Sequence, residues 1–253
     1  MIRALNYHDP KPFQRPGEGF DIAIWFAKSR IIPVALQARC KCLAMHLSRI
    51  FCSPARLGIV MSCKSVILNG HYIDLRPLSI SDAERTFHWR QSERARHLNA
   101  GAASVEQQAK WIAARPAGEY NWIIHLKDGT PIGMLSLVDI DTYNSRAETG
   151  RFLIGEEEKA KGLPVAVEAM GLLYEFAFNT LGLSRLFGMI SANNGRMVKW
   201  QKYLGMVEEG RLRSHYRTEV GAHDAVVLGI LREEYQATFI PRARALMAMG
   251  GSA

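Results

Sequence analysis

From Val66 onward the hydrophobic positions follow one of two periods, and the change of period marks the elements. Val66-Ile-Leu-Asn-Gly-His-Tyr-Ile-Asp-Leu reads as two short β runs around a tight Asn69-Gly70 turn. Ser79-Ile-Ser81-Asp82 supplies N-caps for a helix through about Arg94, and Ser104-Val-Glu-Gln-Gln opens a second helix to Ala114, broken by Pro116-Ala-Gly118. A meander follows: Tyr120–Leu126, Ile132–Ile140 and Ala147–Ile154, with turns at Lys127–Pro131 and Asp141–Ser145. The period then lengthens. Val167, Met170, Leu173, Tyr174, Ala177, Phe178 and Leu181 form a helical stripe over Val165–Leu181, ended by Gly182. Ser184–Ile190 reads as a buried strand, and a helix runs from Asn194 to Leu204. Met206–Arg213 and Ala225–Leu231 form a last ribbon, and Arg232–Met249 a terminal helix interrupted near Pro241. The order β, α, α, β, β, β, α, β, α, β, β predicts an α+β fold with a mixed sheet.

Residues 1–60 do not share this clarity. They hold five of the ten prolines, all four cysteines but Cys63, and nine Lys or Arg against three acids. Of the net charge of +8, about +6 lies there, so residues 61–253 are nearly balanced. A basic disordered tail, a membrane-surface or partner-binding helix and a segment foreign to the natural product all fit this composition. Met61 stands just before the first clean strand, and residues 1–60 are treated as a poorly structured basic extension. Cys40-x-Cys42 with His46 and Cys52 matches no standard zinc-finger spacing, so no metal is expected.

These features also exclude classes. The balanced body argues against a nucleic-acid partner. No run approaches the ~18 apolar residues of a membrane span. A body with no cysteine after Cys63 fits a reducing cytoplasm.

With this order established, two segments show a family resemblance over about residues 65–235. Glu168-Ala-Met-Gly-Leu-Leu-Tyr-Glu-Phe-Ala-Phe-Asn-Thr-Leu-Gly-Leu-Ser-Arg-Leu resembles the helix and strand after the acetyl-CoA loop of GNAT-type N-acetyltransferases. Asn194-Gly-Arg-Met-Val-Lys-Trp-Gln-Lys-Tyr-Leu-Gly-Met resembles their later Asn…Leu-Gly-Phe motif. Trp89-Arg90-Gln91-Ser92-Glu93 and Leu137–Gly155 resemble the PseH-like amino-sugar branch, which acts on a nucleotide-linked 4-amino sugar in flagellin glycosylation. The neighbouring branch comprises RimJ/RimL-like enzymes, which acetylate ribosomal protein N-termini. The resemblance implies a GNAT fold over 61–253: a mostly antiparallel twisted sheet flanked by helices and splayed at its central strands. It also implies acetyl-CoA as co-substrate with no tightly bound cofactor, a small amine acceptor, and compatibility with a homodimer. A catalytically silent acetyl-CoA-binding module is the third reading.

By this resemblance, the strand around Leu153 and Ile154 polarises the thioester carbonyl. Lys159, Ala160, Lys161, Gly162, Leu163 and Val165 cradle the pyrophosphate, and Asn194 serves the pantetheine arm. Two departures stand out. Pro164 occupies the loop's last position and lacks an N–H. Gln201 stands where many relatives place the tyrosine that protonates the departing thiolate. Tyr203 is the nearest substitute. Glu148 is the first candidate for general base, with Asp139 second, because acetyl transfer needs an unprotonated amine nitrogen. Asp141, His215, His223 and Asp224 are further candidates. Trp89 and Arg90 are expected to line the acceptor pocket, the ring stacking and the guanidinium pairing an anion.

Overall fold

The computed structural model describes residues 65–218 and 221–250. The readings made for residues 1–60, including the cysteine cluster, lie outside the described residues. An eight-stranded sheet carries the fold: β1 Leu68–Asn69, β2 Ile73–Pro77, β3 Tyr120–Leu126, β4 Pro131–Asp141, β5 Arg146–Ile154, β6 Arg185–Ser191, β7 Val207–Thr218 and β8 Gly221–Leu231. Their order is β1-β2-β3-β4-β5-β6-β8-β7. Only β5 and β6 are parallel; every other neighbouring pair is antiparallel. The helices are α1 Ala83–Gln91, α2 Val105–Ala114, α3 Val165–Glu175, α4 Gly195–Tyr203 and α5 Ile240–Gly250.

Strict alternation divides the sheet's two faces. On β3, Trp122 and Ile124 join α3 and the terminal helix in the larger core, while Ile123 turns to the smaller core with Leu78, Ala83, Trp89 and Ile112. On β4, Leu135 and Leu137 face the larger core and Met134 the smaller. Helices α1 and α2 thus cover one face, and α3 and α5 the other.

The long stripe read as one helix is α-helical only to Glu175. A π turn, Phe176–Thr180, finishes it, with the Leu181 N–H bonded to the Phe176 carbonyl at 2.9 Å. The wider turn lets three successive residues, Phe176, Ala177 and Phe178, all reach the core. A second π turn, Tyr235–Phe239, precedes Pro241 in the terminal helix. It is the interruption expected there, because Pro241 has no N–H to give. Helix α1 stops at Gln91, short of Arg94, where Ser92 leaves helical geometry. The last ribbon is longer than its apolar residues suggest, since β7 continues past Arg213 to Thr218 through a register shift.

One buried carboxylate fastens the amino-terminal hairpin. Glu168 of α3 is 5% exposed and accepts backbone N–H bonds from His71, Tyr72 (2.9 Å) and Ile73 (3.1 Å). A side chain at Gly70 would collide with it, so glycine is required in that turn.

Candidate active site

The parallel pairing of β5 with β6 is short. It runs Arg146↔Arg185, Ala147↔Leu186 and Glu148↔Phe187, and stops. Beyond it β5 stays on β4 as far as Ile154, and β6 stays on β8 as far as Ser191. The two central strands therefore part like a fork, each held by its outer neighbour. At the crotch the Thr149 hydroxyl donates to the Phe187 carbonyl at 3.3 Å. A Cβ on Gly188 would lie 3.2 Å from both the Thr149 carbonyl and its Oγ1, so glycine lets the strands meet closely before they separate. A cleft of about 1260 Å³ passes through the fork, lined by both strands, α3, α4, the α1–α2 connection and β7.

Two β-bulges flank the fork. Arg151 and Phe152 together oppose Leu135, and Arg151 carries a positive φ of 55°. Asp139 and Ile140 together oppose Ala147, and Asp139 has a φ of 49°. Such left-handed backbone is uncommon for non-glycine residues, and bulges re-aim side chains. Here they bring Asp139 from β4 beside Glu148 on β5. Both residues line the cleft. Burial first, then the negative charge of Asp139, raises Glu148 above the ordinary carboxylate value, and the charge of Arg151 opposes this.

Arg151 anchors the wall above them. Its guanidinium donates to Glu119 and to Asn121 Oδ1, each at 3.0 Å, and lies 5.1 Å over the Trp111 ring. Asn121 Oδ1 also accepts from Ser136 at 2.7 Å. Arg90 lines the same wall and donates to the Asn99 carbonyl. It has no carboxylate partner among the described residues, and burial followed by the nearby Arg151 lowers it from the usual arginine value.

On the other side of the fork, Leu153, Ile154 and Asn194 also line the cleft. Asn194 caps α4, its Oδ1 accepting from Met197 N–H at 3.2 Å. Phe152 stacks on Trp200 of α4 at 5.8 Å, closing one wall of the slot.

The turn from Glu156 to Leu163 has a different character from an open cradle. The N–H groups of Ala160, Lys161 and Leu163 are engaged within the turn, on Glu156 and Glu157, Glu158 and Ala160 respectively. Gly162 stands at φ 79°. Pro164 begins α3 without a side-chain cap, and its carbonyl accepts from Glu168 N–H. Gly162 and the first α3 residues Val165–Val167 therefore offer the N–H groups with no partner among the described residues. Lys159 pairs with Glu156 at 3.3 Å, and Lys161 is exposed. None of 159–165 lines the cleft itself; they lie where β5 leads out of it.

Three placements differ from what the bare sequence suggests. Trp89 is buried in the smaller core, its ring against Gly155 and its Nε1–H donating to Glu156 at 2.9 Å, so it braces the turn and does not face the cleft. Tyr203 is half exposed, lies under Arg242 and does not line the cleft. Asp141 binds Asn144 and Arg146 at the β4–β5 turn. Sequence reasoning missed Arg151, Trp111, Glu119 and Tyr216, all of which line the cleft. No periodicity or motif singles out Arg151, because its aim is set by the bulge that only the structure shows.

The stretch of chain that builds this fork is matched by a family model. The acetyltransferase (GNAT) domain model covers residues 73–207. The chain belongs to the GNAT family of N-acetyltransferases. Among its relatives is the "Putative ribosomal N-acetyltransferase YdaF" of Bacillus subtilis (strain 168), 32% identical over 111 residues, 44% of this chain. This chain spans 59% of that relative's length. The spermidine N(1)-acetyltransferase of Escherichia coli (strain K12) is 28% identical over 110 residues, 44% of this chain and 58% of that protein. The crystal structure of a GCN5-related N-acetyltransferase from Brucella melitensis superposes with a TM-score of 0.61 at 23% identity, covering 71% of this GNAT chain and 84% of that one, a likeness of fold.

Proposed function

We propose that this GNAT protein transfers the acetyl group of acetyl-CoA directly to a primary amine, with Glu148 as the general base. The observation that carries the reading is the Asp139–Glu148 pair at the point where β5 and β6 part. The fork exposes the inner edge of β5 beyond Glu148, so backbone N–H groups near Leu153 and Ile154 are placed to polarise a carbonyl lying in the slot. The partnerless N–H groups of Gly162 and the α3 start suit a pyrophosphate, with Lys159 and Lys161 adding charge. Leu163, Ala160 and the missing N–H of Pro164 then shape the turn and do not serve as donors. Asn194 is placed to hold the pantetheine arm.

Glu148 takes the proton from a docked ammonium and passes it to solvent, then accepts the nitrogen's next proton as the N–C bond forms. Its pKa, raised above the ordinary glutamate value, makes it a stronger proton acceptor than a free carboxylate.

The acceptor wall carries Arg90 and Arg151 beside Trp111, which favours an amine that also bears a negative group. A nucleotide-linked 4-amino sugar meets that description, and the resemblance of Leu137–Gly155 to the amino-sugar branch supports it. A second reading, acetylation of a protein N-terminus, is favoured by the ribosomal relative and by the volume of the cleft, about 1260 Å³. Spermidine, a polycation, is disfavoured by the same two arginines.

The test is CoA-thiol release with three acceptors: a nucleotide-linked 4-amino sugar, a peptide with a free N-terminus, and spermidine. The sugar is expected to be turned over fastest. Fastest turnover of the peptide would establish the second reading. Acetyl-CoA binding without thiol release for any of them would overturn the enzyme assignment and leave a silent binding module.

A further inference from the structure

The family's usual proton donor is missing. Gln201, in its place, is buried, and a carboxamide cannot protonate a thiolate. Tyr174 is near Gln201 Oε1, at 3.5 Å, but it is fully buried in the core and burial pushes its phenol far up. Tyr203 stands outside the cleft. The histidines of the cleft wall are placed differently: His97 lies beside Arg96 on the α1–α2 connection, and His215 is exposed on β7.

One tyrosine does line the cleft, Tyr216. It comes from β7, after the register shift between Leu212 and Tyr216 and the positive φ of Ser214. Asp224 locks that irregularity by accepting the Ser214 N–H at 2.9 Å. The kink carries the Tyr216 ring across β8 to β6, where its hydroxyl donates to the Met189 carbonyl at 3.0 Å. Met189 lies two residues past Phe187, the last β6 residue paired with β5. The hydroxyl therefore sits on the open part of the fork, just beyond the rung that holds Glu148.

We propose that Tyr216 is the general acid of this enzyme, giving its phenolic proton to the sulfur as the thioester C–S bond breaks. This rests on the acetyltransferase reading above. The bookkeeping closes within the site. The neutral amine's lone pair forms the N–C bond, and the nitrogen loses one proton to Glu148. The C–S pair leaves on sulfur, which takes the Tyr216 proton to give the CoA thiol. The proton on Glu148 then returns, through water, to the phenolate.

The two groups are also coupled in the useful direction. Burial and then the negative charge of Glu148 raise the Tyr216 phenol above its ordinary value. When Glu148 accepts the amine's proton, its charge vanishes and that part of the rise goes with it. Tyr216 becomes the stronger acid in the step where the sulfur needs a proton.

The test compares acetyl-CoA with its selenium analogue, whose selenolate leaves without being protonated. Single-turnover rates are measured for wild type and Tyr216→Phe with whichever of the three acceptors wild type acetylates. With acetyl-CoA the variant is expected to lose about 100-fold, and with the selenium analogue less than about threefold. The ratio between donors is internal to one preparation, so partial misfolding cancels. Equal losses with both donors, or no loss with either, overturn the assignment of Tyr216. Absence of wild-type turnover with all three acceptors overturns the acetyltransferase reading and this assignment together.

Discussion

Glu168 and Glu148 are the same residue in two opposite settings. Glu168 is almost wholly buried and accepts three backbone N–H groups from the β1–β2 hairpin. Glu148 is half-buried, faces a second carboxylate, and has only a distant arginine in its favour. The first environment satisfies the charge and fastens two elements together. The second leaves the charge uncomfortable at a place where a ligand arrives. Burial alone does not mark a functional acid; burial with an unfavourable partner does.

Breaking the second setting has the largest expected effect. Glu148→Gln should lower the turnover rate about 1000-fold. It should also melt no lower than wild type. A carboxyl with a raised folded-state pKa stabilises the fold only while protonated, and that contribution is lost as pH rises from the ordinary glutamate value through the folded one. Above that interval Glu148→Gln therefore melts higher than wild type, and below it the two converge. A lower melting temperature at neutral pH, or unchanged turnover, would contradict the contrast.

Breaking the first setting should do the reverse. Glu168→Ala strands three backbone donors and is expected to cost about 3 kcal/mol, lowering the melting temperature by roughly 10 °C. Below the melt its turnover should stay within about twofold of wild type. A pH profile sharpens the comparison further. Wild-type turnover should climb with pH around a midpoint above the usual glutamate range. Asp139→Asn should bring that midpoint down, since it removes the neighbouring charge, while keeping most of the activity. Abolition of turnover by Asp139→Asn would make it the base instead. Smallest of all, Tyr203→Phe should leave turnover unchanged; a large loss would place that ring at the reacting sulfur despite its position outside the cleft.

The element order was legible because short apolar β runs on β2 to β4 are bounded by turn residues and the apolar positions step helically on α3. The GNAT fold followed from that order with two motif-bearing segments. What was illegible depended on local departures from period. Nothing in Val138-Asp139-Ile140 or Gly150-Arg151-Phe152 announces a bulge, so neither the Asp139–Glu148 pairing nor the aim of Arg151 could be derived. Past Arg213 the residues of β7 are polar, so the strand's continuation, and with it the arrival of Tyr216, left no hydrophobic trace. Trp89 was misplaced because a tryptophan on an amphipathic helix reads alike whether it faces core or cleft. Its burial depends on Gly155, sixty-six residues away.

That same contact has a consequence for the order of events. The Trp89 ring rests on Gly155 and its indole holds Glu156, while the next residue, Arg90, lines the cleft. Arg94 adds a second tie, 2.6 Å from Glu157. Helix α1 is thus bolted to the start of the turn that leads to α3. On the proposed acetyltransferase reading, an adjustment of that turn around a donor's phosphates is expected to reach the Arg90 wall through the Trp89 ring. Linkage then requires the effect of each ligand on the other's affinity to be equal in both directions. The measurement that checks this is a two-substrate initial-rate plot, in which the intersecting lines are expected to meet away from the abscissa.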